Sequence, residues 1–271
     1  MFAPHVSPFL AKLARIRMTV GYAAALAAVS VALVILGPRV REQVIRHAST
    51  NLHNLSHGRL GTLLSSAFVI DVGPVYTWLP FLMCLLALAE LLWHSGRLAV
   101  VFLVGHIGAT LVVAAGLVAA IKMGWLPISI TRTSDVGMSY GAIAVLGAMT
   151  AAISARWRPA WVGWWLAVGI TCAAAGGEFT DVGHFVALVL GMLVATRFGK
   201  HVYWTPARYG LLVVSVVFGF LLLAHTGWSS VAAVAVGAVG ALATDRIARR
   251  RAARRSPAHD GPAASEPAII R

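Results

Sequence analysis

The sequence predicts an all-α fold, a polytopic membrane helix bundle of eight spans, and three observations predict it. Of 271 residues, 59% are hydrophobic and 11% are charged, with a mean hydropathy of +0.82. That is far too apolar for a soluble domain of this length. The apolar residues fall into runs of about 20, the length a helix rising about 1.5 Å per residue needs to cross a bilayer. The charge gathers at the chain ends and in short turns, where lysine and arginine mark the cytoplasmic side.

Met18 to Leu36 carries no charge and gives the first span. It starts too far into the chain, with no small-residue cleavage pattern behind it, to read as a signal peptide. Pro38 to Ile70 is a long polar and amphipathic loop, with Arg39, Arg41, Arg46 and Arg59 among apolar residues, and is expected to be interfacial. Gly73 to Trp93 is the second span, with Glu90 near its far end. The turn His94-Ser-Gly-Arg97 leads into the third, Leu98 to Ile121. After a loop holding Pro127, Val136 to Ala155 makes the fourth. The basic turn Arg156-Trp-Arg158 precedes the fifth, Pro159 to about Gly176, where proline suits a helix's first turn. Val182 to Thr196 is the sixth.

Tyr209 to Thr244 is uncharged, but one straight helix of that length would reach roughly 54 Å against a hydrocarbon core of about 30 Å. It is expected to break near His225-Thr-Gly-Trp-Ser-Ser230 into a seventh and an eighth span. The chain thus divides into a basic cytoplasmic N-terminus (1–17), a six-helix core (18–197), an added C-terminal hairpin (198–245) and a disordered basic tail (246–271).

The net charge of +13 is concentrated in Lys12, Arg15 and Arg17 and in the arginines from Arg246 to Arg255. Beside apolar helices such segments meet anionic headgroups, so the expected partner is the lipid bilayer and not nucleic acid. Arg97, Arg156, Arg158, Arg197, Lys200 and Arg208 fall on one side of the threading, and the loops after the fifth and seventh spans carry no lysine or arginine. Both termini are therefore expected in the cytoplasm, with the chain in the cell membrane. Cys84 and Cys172 lie within spans and read as packing residues. No metal and no cofactor is expected.

Asp-Val-Gly occurs three times, at Asp71, Asp135 and Asp181, each time at the outer start of an inward-running span. An aspartate there is expected to cap free backbone N–H groups and oppose the helix dipole. Asp181 is also placed to orient His184. Counting about 1.5 Å per residue puts Ser139 and His184 each roughly 5 Å below the same face. A serine hydroxyl becomes a nucleophile when a base takes its proton, and histidine can do so near neutral pH. Serine in a membrane helix also commonly bonds to a carbonyl or packs against a neighbour, and histidine can be a structural hydrogen-bonder, so both readings stand. Gly137 and Gly141, with Ala187 and Gly191 on the other span, allow close approach. His106 counts too deep to meet Ser139 and reads as a packing hydrogen-bonder.

Gly137-Met-Ser-Tyr-Gly-Ala-Ile-Ala-Val-Leu-Gly-Ala148 resembles, without a gap, the Gly-x-Ser-Gly-Ala-x-x-Gly-x-x-Gly-Ala segment of the rhomboid family of intramembrane serine proteases. His184 with Ala187 and Gly191 resembles the family's His-x-x-Gly-x-x-x-Gly helix. Gly58 to Phe68 is similar to the segment after the family's first loop, and Glu90 with Gly96-Arg97 to its Glu-to-Gly-Arg turn. The resemblance covers about residues 18–197. It implies a rhomboid-like six-helix core and an endopeptidase that cuts transmembrane substrates near the outer face, with Ser139 as nucleophile and His184 as general base. Gly137, Tyr140 and Asp181 become neighbours of the site, as oxyanion or positioning candidates. Tyr140 stands where the family has glycine, and Tyr76-Thr-Trp-Leu-Pro80 stands where it has an oxyanion-stabilising His-x-x-x-Asn pair. His53, Asn54 and His57 are the candidate substitutes. Two alternatives follow: an inactive relative that binds transmembrane helices without cutting them, and a small-solute transporter, which the absence of an inverted repeat disfavours.

Overall fold

The computed structural model describes residues 13–71, 75–199, 202–224 and 227–255. Lys12, residues 72–74 at the expected start of the second span, Lys200, residues 225–226 of the expected break and residues 256–271 of the expected tail lie outside the described residues. Every regular element among the described residues is helical. In chain order these are α1 (Arg17–Leu36), α2 (Pro38–Ala48), α3 (Leu52–Ser56), α4 (Thr62–Ser65), α5 (Val75–Lys122), α6 (Ser139–Ala148), α7 (Arg158–Ala175), α8 (Phe179–Ala195), α9 (Pro206–Leu223) and α10 (Gly227–Arg255). Short 3-10 turns add Ser66–Phe68, Ile128–Arg132 and Met149–Ala151.

Helices α1, α5, α9 and α10 are long and apolar enough to cross a membrane, and α6 and α8 are shorter apolar helices. The 48 residues of α5 are two spans in one run, since His94 adopts φ 69° and ψ 160°, a left-handed conformation no helix interior tolerates. This is where the sequence placed the turn between the second and third spans.

Both ends of the fourth span and the boundary of the C-terminal tail differ from expectation. The fourth span is only α6, beginning at Ser139 and not Val136, because the residues before it are held away from the helix by the loop. Gly137 takes φ 130° and donates its N–H to the Ser66 carbonyl at 2.9 Å. It ends at Ala148 and not Ala155, where the chain tightens into the 3-10 turn. Arg158 then closes the corner by donating to the carbonyls of Thr150 and Ile153 at 3.0 and 2.9 Å. At the C-terminus, α10 runs to Arg255, so residues 246–255 are helical where a disordered tail was expected. Alanine and arginine are good helix formers, and Arg249 pairs with Asp245 one turn earlier at 2.8 Å.

Without water to drive apolar burial, helices in a bilayer associate through close packing and hydrogen bonds. The innermost helix is α6, buried at every position from Tyr140 to Ala148. Glycines bring its neighbours within backbone distance. A Cβ on Gly105 of α5 would overlap the Ala144 side chain, and one on Gly219 of α9 would overlap Leu146. α10 is anchored on α7 in the same way: a Cβ on Gly163 of α7 or Gly240 of α10 would strike the other's carbonyl, and Thr244 donates to the Pro159 carbonyl at 2.7 Å.

Glu90 joins the ends of α1 and α5. Its carboxylate, 2% exposed, accepts from the Met18 and Thr19 amides at 2.9 and 2.8 Å and from the hydroxyls of Thr19 and Ser95 at 2.7 and 2.6 Å. One side chain thus caps the start of α1 from a different helix. Replacing Glu90 with alanine is expected to cost about 2–4 kcal/mol, by stranding two helix amides and two hydroxyls. A fall in the melting temperature of the purified protein checks this, and a Glu90→Ala variant that melts with wild type would refute it.

Candidate functional site

The segment between α2 and α5 was expected to lie on the membrane surface, but its last part is inserted into the bundle. Ser66 and Ala67 are buried, and Tyr22 of α1 donates to the Ala67 carbonyl at 2.6 Å. The strand-like run before α6 is stitched to this inserted segment. The Asp135 amide donates to the Ser49 hydroxyl at 2.8 Å, the Thr50 amide to the Asp135 carbonyl at 2.9 Å, and the Gly137 amide to Ser66. Ser139, half-buried, is therefore delivered as the first residue of α6. The helix's first backbone N–H groups, which have no partner within the helix, surround it.

On the facing helix, Glu178 and Asp181 form a reciprocal capping box that starts α8, with the Glu178 amide donating to Asp181 Oδ2 at 3.3 Å. The cap begins the helix three residues before the expected Val182 and sets His184 on its second turn, 8% exposed. Of the three repeated aspartates, Asp181 behaves as a cap. Asp135 does not, because Met138 holds the N-cap position of α6 and Asp135 belongs to the stitched segment. Asp71 lies four residues before Val75 and pairs with Arg41 at 3.8 Å.

α6 and α8 meet along a seam of small residues. A Cβ on Gly191 would overlap the Ala144 carbonyl, one on Gly147 would overlap the Leu188 carbonyl, and one on Gly183 would overlap the Tyr140 ring. Ser139 and His184 thereby lie in the first two turns of two directly packed helices. The ring that meets His184, however, is Tyr140. Its centroid lies 5.3 Å away with the planes at 80°, an edge-to-face contact, and the side chain is 3% exposed. Among the described residues no hydrogen bond joins the Ser139 hydroxyl to the His184 ring.

A different serine and histidine do meet. Ser66 Oγ lies 3.0 Å from His106 Nε2, both buried, and the Ser66 carbonyl is the one that holds Gly137. His106 is thus the hydrogen-bonder the sequence suggested. Its partner went unseen because nothing in the sequence says that the loop dips inward. The substitute oxyanion candidates are engaged with other groups. Asn54 spends its side-chain amide on the carbonyls of Arg46 and Ser49 at 2.9 and 2.7 Å. His53 and His57 pack against each other, with ring centroids 4.4 Å apart. Tyr76 is 76% exposed, and Trp78 packs on Phe218 of α9. No group of three or more His, Cys, Asp or Glu side chains among the described residues could hold a metal ion.

A family model described as "Rhomboid-like protein" matches residues 15–198. The chain belongs to the rhomboid-like protein family. The match ends before α9, so that helix and α10 lie beyond it. No curated protein and no solved structure matches the chain.

Two predictions test this geometry. Gly191→Leu is expected to force α6 and α8 apart and to lose the folded protein from detergent extracts, because backbone atoms of Ala144 cannot yield as a side chain can. Recovery of Gly191→Leu at the wild-type level and melting temperature would refute the seam. Burial also pushes the Asp135 carboxyl up to about 6. A raised carboxyl keeps its proton more tightly folded than unfolded, so its contribution to stability is full below about pH 4 and is lost as pH rises through about 6. Asp135→Asn is expected to flatten that part of a melting-temperature profile between pH 4 and pH 7.

Proposed function

We propose that this chain is a rhomboid-fold membrane protein that holds transmembrane helices of other proteins without cutting them. The observation that carries the reading is the Tyr140 ring on His184. A general base must reach the hydroxyl it deprotonates within about 2.6–3.2 Å, and here the ring in edge-to-face contact with His184 is that of the neighbouring Tyr140. A groove of about 500 Å³ between the end of α1 and the start of α5, lined by Leu33, Val34, Ile35, Ile70 and Val75 with the Arg41–Asp71 pair beside them, supports helix binding. Val136, three residues before Ser139, packs on the same Leu33 and Val69 cluster, so the groove lies at the end of the bundle that carries Ser139. The distribution of lysine and arginine supports a cell-membrane location with both termini cytoplasmic, and a core of residues 18–197 with the hairpin added to it.

A second reading, an intramembrane serine endopeptidase with Ser139 as nucleophile and His184 as base, is favoured by one observation. Ser139 opens α6, where the first amides of the helix could stabilise an oxyanion beside it. It requires the Tyr140 ring to leave His184. A fluorophosphonate probe separates the two. Folded wild type in detergent is expected to stay unlabelled. Labelling that vanishes in both Ser139→Ala and His184→Ala would overturn the first reading and establish the second.

A further inference from the structure

At the opposite end of the bundle from Ser139, where α1 and α9 begin and α5 breaks at His94, a cavity of about 270 Å³ is lined by Arg15, Arg17, Arg208, His94, Ser95 and Glu90, among others. We propose that this cavity binds a phosphate group, as the headgroup of an anionic phospholipid or as free phosphate. Three arginines and one carboxylate line it, and the oxygens of that carboxylate are engaged by the Met18 and Thr19 amides and by two hydroxyls. Glu90 is thereby committed to α1 and offsets one of the three positive charges.

Arg208 is half-buried and fixed: Nη2 donates to the Leu91 carbonyl at 2.9 Å and Nη1 to the Tyr203 carbonyl, which holds the guanidinium at the cavity wall. Arg17 donates to Ser95 at 3.4 Å. Guanidinium groups match phosphate oxygens in pairs, and their charge does not titrate away. The level is that of a headgroup, because the apolar span α1 starts at Arg17. Basic pockets between helices at this depth are what anionic headgroups fill.

The test uses the full chain purified in detergent and offered a mixture of phosphatidylglycerol and phosphatidylcholine, with bound lipid read by native mass spectrometry and inorganic phosphate as competitor. Wild type is expected to keep phosphatidylglycerol in preference. Arg15→Gln with Arg17→Gln is expected to lower that retention about fivefold for each arginine. Arg132→Gln, on an exposed turn remote from the cavity, is expected to change nothing. If phosphate binds in a manner the double variant loses while neither lipid is preferred, the source is free phosphate and the site stands. If the folded double variant holds phosphatidylglycerol and phosphate as wild type does, or if Arg132→Gln loses as much, the site is refuted. Should the double variant fail to fold, Arg15→Gln alone, on an exposed side chain, is judged by the same two outcomes.

Discussion

The structure depends on how closely α8 can approach α6. Hydrocarbon outside the protein is as apolar as leucine inside it, so burying side chains gains little and the helices are held by backbone proximity and by polar contacts. Gly147 and Gly191 supply that proximity at the centre of the seam, each opposite a carbonyl on the other helix. Once the seam closes, the depths of Ser139 and His184 are no longer independent. Gly105 and Gly219 let α5 and α9 close on the Ala144 and Leu146 side chains, so that α6, at 10 residues, is enclosed along its length.

The polar contacts act at the ends of helices, where backbone groups lack partners. Glu90 closes the start of α1 from across the bundle, Glu178 and Asp181 close the start of α8 from within it, and Arg158 closes the chain after α6. Each lies where a span would otherwise leave amides or carbonyls unpaired in a poorly hydrated setting. The inserted loop works alike: Ser66 uses its hydroxyl on His106 and its carbonyl on Gly137, joining α5 to the approach to α6.

Much of this was legible in the sequence. Long uncharged runs separated by arginine turns mark an all-helical membrane bundle and the order of its apolar helices. The His94 break and the Asp181 cap could be read for the same local reason, since each is specified by a few adjacent residues. What could not be read was tertiary. Equal depth for Ser139 and His184 follows from counting, but which of two neighbouring side chains turns toward His184 depends on the rotation of α6, which Gly183 settles by leaving room for the Tyr140 ring. Asp135 looked like a cap because it matched Asp181 in sequence, yet the loop beside it draws its backbone into another set of bonds. The extension of α10 to Arg255 escaped a reading based on charge, since composition that excludes a span does not exclude a helix.

The contact of Gly163 with Gly240 decides which helix faces the bilayer on that side. Because α10 lies backbone to backbone along α7, and α7 packs on α8 through Gly169 against Phe185 and Leu188, that flank is sealed three layers deep. The surrounding lipid therefore meets α10 there, through exposed Val234, Val236, Val239 and Leu242.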